Sequence, residues 1–132
     1  MSTEGIIGFF VGCRDYEATA ALWGSLGFVN RFETDHGSGQ WVHPTGGPYV
    51  LIAEQDDPDV ALRTHPILGV ADCTDFHPDP APMYVRSFVP EHWGVAEAVI
   101  ADPDGREISL QAPVPHGAAV PDIDEHHRTE HG

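Results

Sequence analysis

Lysine is absent from this chain, and all six basic residues are arginines. Against them stand 21 acidic residues, which give 132 residues a formal net charge of −15. A phosphate backbone or an anionic membrane surface would be repelled by such a field, whereas a neutral or cationic ligand would not. We therefore expect no nucleic-acid partner and no membrane partner.

Cysteines and long apolar runs are scarce as well. Cys13 and Cys73 are the two cysteines and lack CxxC spacing, so we expect reduced thiols rather than a disulfide. No apolar run approaches the ~18 residues of a membrane span, and the start MSTEGIIGFFVGC is acidic rather than basic. These features predict a cytoplasmic, single-domain protein. The lysine-free composition is typical of GC-rich genomes such as those of actinobacteria.

Short strands and one helix make up the first half of the pattern. A helix is predicted from about Asp15 to Leu26, because Tyr16, Ala20, Trp23 and Leu26 follow three- and four-residue spacing and Gly27 can end it. Apolar runs predict strands around it, at residues 5–12, 28–34, 40–43 and 49–54. The predicted order is β-α-β-β-β.

The pattern restarts after an acidic connector. A strand is predicted at residues 65–72, and a closing hairpin at 96–101 and 107–111 around the turn DPDG. Ile6 aligns with His65 and Ile52 with Ser109, which indicates an internal repeat of about sixty residues. Prolines 78, 80 and 82 exclude a long second helix, so we expect one turn followed by a loop.

The repeat, the helix ending LWGSLGF, the loop Trp93-Gly94 and the closing DPDGREISL resemble the vicinal oxygen chelate superfamily. This superfamily includes glyoxalase I, extradiol dioxygenases, fosfomycin-resistance enzymes and bleomycin-resistance proteins. The resemblance implies an α+β fold in which two tandem βαβββ modules form a U-shaped mixed sheet around a concave cleft. The modules would span about 5–54 and 64–112 of one domain, 1–132, followed by a tail over 113–132. The second helix would be shortened or replaced by a Pro-rich loop.

Metal enzymes of this superfamily bind their ion through the first and last strands of each module. The resemblance puts those positions at Ile6, Ile52, His65 and Ser109. Among these side chains, His65 is the one suited to hold a metal, and a protein metal site needs several such ligands. We therefore expect no metal and no other cofactor.

The side chains around these positions indicate a small-molecule site. If the four positions face the cleft, strand alternation brings Gly8, Phe10, Val50, Glu54, Ile67 and Gln111 to the same side. Apolar walls with sparse polar groups are typical of ligand pockets, and aromatic rings can stack on a flat ligand. The predicted ligand-binding residues are Phe10, Phe32, Trp41, His43, Tyr49, Ile52, His65, Tyr84, Phe88, Trp93, Ser109 and Gln111.

Simpler interpretations stay open for several of these residues. Trp41 and Tyr49 could pack on the helix side of the sheet, and His65 could be a hydrogen-bonded core histidine. Glu54 could be the first residue of the solvated connector.

Two functions follow from these residues. The favoured one is a homodimeric binding protein, similar to the bleomycin-resistance proteins, that sequesters a partly aromatic, neutral or cationic natural product without metal. The alternative is a metal-independent isomerase, lyase or cyclase that uses His65 as general acid or base with Glu54 or Glu107 as its partner.

Overall fold

The computed structural model describes residues 3–91 and 94–114. These residues form eight β-strands, one α-helix and one 3-10 turn, the α+β content that the sequence predicts. The first five elements are β1 (Ile6–Cys13), α1 (Tyr16–Ser25), β2 (Val29–Glu33), β3 (Ser38–Val42) and β4 (Tyr49–Glu54). The others are β5 (Thr64–Gly69), the 3-10 turn Cys73–Asp75, β6 (Met83–Pro90), β7 (Val95–Ala101) and β8 (Glu107–Pro113).

Contacts divide the chain into two compact bodies. The first body is Ile6–Pro66, and the second comprises the described residues among 1–5 and 67–132. The strand order is β2-β3-β4-β1 in the first body and β5-β8-β7-β6 in the second. β1 is parallel to β4, residues 67–69 of β5 are parallel to β8, and the remaining pairs within each body are antiparallel. Each body therefore contains a mixed sheet with its first and last strands side by side.

Helix α1 packs on one side of the first body's sheet. It begins after Asp15, whose carboxylate accepts a hydrogen bond from the amide of Ala18 at 3.1 Å, as a capping residue does. Tyr16 and Ala20 are buried one turn apart, and Trp23 packs beside them. The predicted stripe ends there, because Leu26 lies just beyond the helix and is 57% exposed.

The core of the second body forms without a helix of comparable length. As predicted, the Pro-rich segment contains one short turn, Cys73–Asp75. Asp72 precedes this turn as its capping residue. Cys73 and Phe76 are buried against the sheet, and the ring of Phe76 meets that of Phe88 edge to face at 6.1 Å. The sheet residues of this core are Val70, Phe88, Ala96, Ala98, Leu110 and Ala112.

Strand β6 was not identified from the residue pattern. Its pairing with β7 has register shifts between Tyr84 and Arg86 and again between Arg86 and Val89. Such irregularities break the alternation of apolar and polar residues by which a strand is recognised in a sequence. The other predicted strands are present, with ends that differ by up to three residues.

The closing turn forms as the residues DPDG predict. The carboxylate of Asp102 accepts hydrogen bonds from the amides of Asp104 and Arg106 at 2.9 and 2.8 Å, and Gly105 has φ of +85°. The hydrogen bond from the Arg106 side chain, followed by those from the two amides, holds the pKa of Asp102 below its ordinary value. Within the described part of the chain, no helix is long and apolar enough to cross a membrane.

Candidate functional site

Strand register assigns the candidate residues of the first body to opposite sides of its sheet. Val11 pairs with Ile52, and both belong to the core under α1. Phe10 pairs with Leu51, so these two side chains point away from the helix. Gln40 pairs with Leu51 and Phe32 with Gln40, which extends the same row across β3 and β2. We call this side the first face; it carries Gly8, Phe10, Phe32, Gln40, Tyr49, Leu51 and His65.

Phe10 and His65 are stacked on the first face. Their ring centroids are 5.0 Å apart and the ring planes differ by 16°. Both side chains are half-buried, and Nδ1 of His65 is buried. The stacking restrains both rings and presents a flat edge of mixed aromatic and polar character.

Tyr49 lies on the first face above a residue that has no side chain. Tyr49 is the register partner of Gly8, and a Cβ atom added at Gly8 would lie 2.5 Å from its Cε1 atom. Real Cβ atoms do not approach a ring so closely. Gly8 therefore allows the Tyr49 ring to lie over β1.

The prediction for Ile52 is wrong. Ile52 is fully buried beneath α1, on the side of the sheet opposite Phe10, together with Val50. The cause is a misaligned repeat. Gly8 and Ile67 are 59 positions apart in the sequence, the same spacing as between Ile6 and His65. The register partner of Gly8 is Tyr49, and the register partner of Ile67 is Ser109. Tyr49, not Ile52, is therefore the counterpart of Ser109.

Two other predicted ligand-binding residues lie on the helix side. The Trp41 ring packs in the first core and its Nε1 donates a hydrogen bond to the Tyr16 hydroxyl at 3.3 Å. His43 meets the Phe28 ring edge to face at 5.2 Å, and its Nδ1 shares a 2.7 Å hydrogen bond with Thr45. For Trp41 the simpler interpretation, packing on the helix side, is confirmed.

Glu54 also lies on the helix side, where it serves the start of α1. Its carboxylate accepts a hydrogen bond from the amide of Tyr16 at 2.8 Å, which satisfies a donor in the first helical turn. His65 stacks on the opposite side of the same sheet. The predicted acid-base pair of His65 and Glu54 is therefore not formed.

The second body's sheet also has a side that points away from its core. Ile67 pairs with Ser109, and Gln111 pairs with Glu97. Ser109 is 4% exposed and Ile67 fully buried, whereas Gln111 is half-buried. We call this side the second face; it carries Ile67, Arg86, Glu97, Val99, Ser109 and Gln111.

Tyr84 and Phe88 do not lie on the second face. Phe88 is 4% exposed within the core. Tyr84 pairs with Ile100, which packs against that core. The prediction for Phe88 is wrong because β6 and its shifted register were not foreseen, whereas ligand contact by Tyr84, which is 40% exposed, stays a prediction.

Glu97 and Arg86 were not predicted as site residues. The Arg86 guanidinium contacts Glu97 at 3.0 Å and Glu91 at 3.2 Å. Burial raises the pKa of Glu97 above its ordinary value, and the positive charge of Arg86 opposes that shift. The only sequence signal was the alternation of Glu97 with Ala96 and Ala98, which places it on the far side of β7 from the core.

The side chains at the positions that the resemblance assigns to a metal do not fit an ion. With the corrected alignment they are Ile6, Tyr49, His65 and Ser109, which provide one imidazole, two hydroxyl groups and a hydrocarbon. Structural and catalytic metals are normally held by several imidazole, carboxylate or thiolate ligands. The described residues also contain no group of three histidine, cysteine, aspartate or glutamate side chains placed to hold an ion.

Both cysteines are free and buried. Burial raises the pKa of the Cys13 and Cys73 thiols above their ordinary value. Neither thiol is therefore activated as a nucleophile. Trp93, predicted to contact the ligand, lies outside the described residues, as do residues 115–132 of the tail.

Comparison with known proteins identifies the fold. Methylmalonyl-CoA epimerase from Mycobacterium tuberculosis has a TM-score of 0.68 at 13% identity, over 86% of this chain and 90% of that chain. A glyoxalase/bleomycin resistance protein/dioxygenase superfamily member from Vibrio splendidus has a TM-score of 0.61 at 13% identity, over 80% and 96%. A hypothetical protein from Bacillus halodurans has a TM-score of 0.62 at 11% identity, over 86% and 97%.

No protein-family model matches the chain, and no curated protein matches it. The structural similarities show that the chain has the fold of the glyoxalase/bleomycin resistance/dioxygenase superfamily. The resemblance to the vicinal oxygen chelate superfamily is therefore confirmed at the level of the fold. At such low identity the similarity defines the fold and not the activity.

Proposed function

We propose that this protein binds and sequesters a partly aromatic, neutral or cationic natural product without a metal and without changing it chemically. The main support is the stacked pair of Phe10 and His65 on the first face. Leu51 and Tyr49 on the neighbouring strand β4, and Phe32 on β2 further along the same face, add apolar and aromatic surface. A flat ligand gains stacking and apolar burial on such a surface.

Sparse polar groups support the same function. Gln40 on the first face can fix the orientation of a ligand. The formal charge of −15 favours the approach of cationic molecules over anionic ones.

The enzyme alternative has less support. A general base needs a partner within hydrogen-bonding reach that orients it. Glu54, one of the two carboxylates proposed as the partner of His65, is bound instead to the amide of Tyr16 at the start of α1. We therefore favour binding over catalysis.

A homodimer is the second part of the proposal. Its support is the exposed apolar surface of β6, where Met83 is 71% and Val85 is 55% exposed at the end of the second body's strand order. Exposed apolar side chains along a terminal strand favour association with another chain.

Isothermal titration calorimetry with bleomycin, acridine and 9-aminoacridine tests the binding function. Phe10→Leu should weaken binding by about 1–3 kcal/mol, because it removes a stacking ring. Phe9→Leu is the matched control, since Phe9 is the register partner of Val50 on the helix side and should leave affinity unchanged. Trp93→Ala is predicted to weaken binding to a similar degree, and His65→Ala to weaken it less.

The chemical part of the proposal is tested on the same samples. Protein treated with EDTA should bind the compounds as tightly as untreated protein does, and elemental analysis should find no stoichiometric metal. Mass spectrometry and chromatography should recover each compound unchanged after long incubation. Failure to bind any of the three compounds, or recovery of an altered compound, would count against sequestration.

A further inference from the structure

Gln40 places a side-chain amide in the middle of an apolar row on the first face. Its register partner on β4 is Leu51, and its register partner on β2 is Phe32. Leu51 in turn pairs with Phe10, whose ring stacks on His65. All of these residues belong to the first body, so their arrangement follows from pairing within one sheet.

The side-chain amide of Gln40 is not used by the described part of the fold. Among the described residues, none exchanges a hydrogen bond with this amide; the contact from Asn30 at 3.5 Å goes to the backbone carbonyl of Gln40. The residue is half-buried between apolar neighbours, so its amide is partly withdrawn from water and still open to a ligand. Polar groups in such positions usually have a partner inside the protein. The amide of Gln40 therefore points to a partner outside it.

Gln40 lies within reach of a ligand that contacts the stacked rings. The strand order β3-β4-β1 separates Gln40 from Phe10 by two strand spacings, roughly 10 Å between backbones. His65 covers Phe10 from β5, on the other side of β1. The surface between Phe10 and Gln40 is therefore formed by Leu51. A flat ring system that touches Phe10 and covers Leu51 brings its far end to Gln40.

A ligand that covers Gln40 must replace the water on its amide. The amide offers N–H donors and a carbonyl acceptor at the same end of one side chain. A ligand group with a donor and an acceptor side by side, such as a carboxamide, satisfies both. A hydrocarbon edge satisfies neither, and a site built around a hydrogen bond discriminates against analogues that lack it.

We infer that Gln40 selects flat aromatic ligands that carry a neutral carboxamide-type group at the end of the ring system. This inference rests on the proposed function and names the substituent that the first face recognises. The favoured substituent is uncharged because the row from β2 to β1 contains no charged side chain; its members are Phe32, Gln40, Leu51 and Phe10.

Three related compounds measure this selectivity: acridine, acridine-3-carboxamide and N,N-dimethylacridine-3-carboxamide. The primary carboxamide has a donor and an acceptor, the dimethyl compound keeps the carbonyl alone, and acridine lacks the substituent. Calorimetry at neutral pH gives their dissociation constants for the wild-type protein, Gln40→Met and Gln55→Met. Gln55 is the matched control, because it is half-buried in the first body but follows the end of β4, roughly 13 Å along the chain from Leu51.

The wild-type protein should bind acridine-3-carboxamide about tenfold more tightly than acridine, as expected for two hydrogen bonds between neutral groups. The dimethyl compound should bind with intermediate affinity. Gln40→Met should remove most of the preference for the carboxamide, and Gln55→Met should retain it. Gln40→Leu repeats the test if Gln40→Met is not folded.

Thermal unfolding gives an independent measurement of the role of the amide. Since none of the described residues bonds to it, Gln40→Met should melt at or above the temperature of the wild-type protein. A melting temperature several degrees lower for both Gln40→Met and Gln40→Leu would show that the amide serves the fold, which overturns the inference.

The titrations separate the two proposals. If the wild-type protein binds neither acridine nor its carboxamide, the proposed function fails and the inference fails with it. If both compounds bind equally well, or if Gln40→Met keeps the preference, binding stands and selection by Gln40 is overturned. The same conclusion follows if Gln55→Met lowers the preference as much as Gln40→Met does.

Discussion

Gly8 has no side chain, and this determines what lies above β1. The ring of Tyr49 occupies the space that a Cβ atom would need, next to the stacked rings of Phe10 and His65 on the first face. A close approach between backbone and an aromatic ring is a common reason for glycine inside a strand. The arrangement of the first face therefore depends on a residue that contributes no contact surface of its own.

Replacing Gly8 by alanine should destabilise the protein by about 1–3 kcal/mol, because the ring of Tyr49 must move. Gly24→Ala is the control: its Cβ would be 3.5 Å from Trp41, an ordinary contact, and alanine in a helix is favoured by about 0.5–1 kcal/mol. Urea denaturation measures both changes. Equal stability of the Gly8→Ala variant and the wild-type protein would contradict this view of Tyr49.

Tyr16 should make stability depend on pH in the alkaline range. Its hydroxyl donates a hydrogen bond to Glu33 at 2.6 Å, and burial, followed by this bond, raises its pKa from 10.0 to about 12. In the pH window between these values the unfolded chain loses the proton while the folded chain keeps it, so stability falls as pH rises. The expected slope is about 1.4 kcal/mol per pH unit, with the full contribution present below the lower value.

Urea denaturation from pH 9 to 11 measures this dependence. Tyr16→Phe should be less stable near neutral pH by about 1–2 kcal/mol, because the Trp41 indole and Glu33 lose their partner. The difference between the wild-type protein and the variant should shrink above pH 10. A constant difference across the range would argue against a raised pKa.

At the scale of single elements, β4 separates two roles by alternation. Val50 and Ile52 face α1 and form the first core, whereas Tyr49 and Leu51 face away from it. Both sides of the strand are largely apolar, as is usual for a strand with neighbours on both edges. The sequence of β4 therefore gives little indication of which side faces a ligand.

Alanine substitutions at two adjacent positions of β4 should differ in their main effect, which is on stability for Ile52 and on ligand binding for Leu51. Ile52→Ala should cost about 2–5 kcal/mol of stability, since the side chain is fully buried. Leu51→Ala should cost roughly 1–2 kcal/mol because Leu51 is half-buried, but it should weaken binding of 9-aminoacridine. Denaturation and calorimetry on both variants test this, and weaker binding by Ile52→Ala alone would reverse the face assignment.

At the scale of the whole molecule, net charge and exposed apolar surface have opposite effects on self-association. The net charge of −15 disfavours self-association, whereas Met83 and Val85 on β6 favour it. Added salt screens repulsion between surface charges, with a Debye length of about 8 Å at physiological ionic strength. Association through β6 should therefore strengthen as salt is added.

Sedimentation at micromolar concentration should give twice the mass of one chain. Val85→Glu should shift the protein toward the monomer, because it places a charge among the exposed apolar side chains of β6. Leu22→Glu is the control, since Leu22 is 57% exposed on α1 and outside the proposed interface. A single-chain mass for the wild-type protein at both low and physiological salt would refute the homodimer.

The sequence by itself determined the α+β content, the position of α1, the closing turn and the short 3-10 turn of the Pro-rich segment. These features depend on local rules, such as capping at Asp15, the turn residues from Asp102 to Gly105 and the exclusion of a helix by proline. It also carried enough of the repeat to indicate the superfamily fold. The caps and turns can be predicted because they depend on residues that are adjacent in the sequence and not on which strands pair.

Only the tertiary structure decided which side of each strand faces the candidate site. When the two halves of the sequence are aligned on their turns, Ile52 is matched with Ser109, whereas strand pairing matches Tyr49 with Ser109. This error of three residues in the alignment assigns every side chain of β4 to the wrong side of the sheet. The same limit applies to Phe88, which the irregular register of β6 places in the core, and to Glu97, whose partner Arg86 lies on the neighbouring strand at a position that this irregular register sets. Strand register is set by pairing between distant residues, and two apolar sides of one strand look alike until that pairing is known.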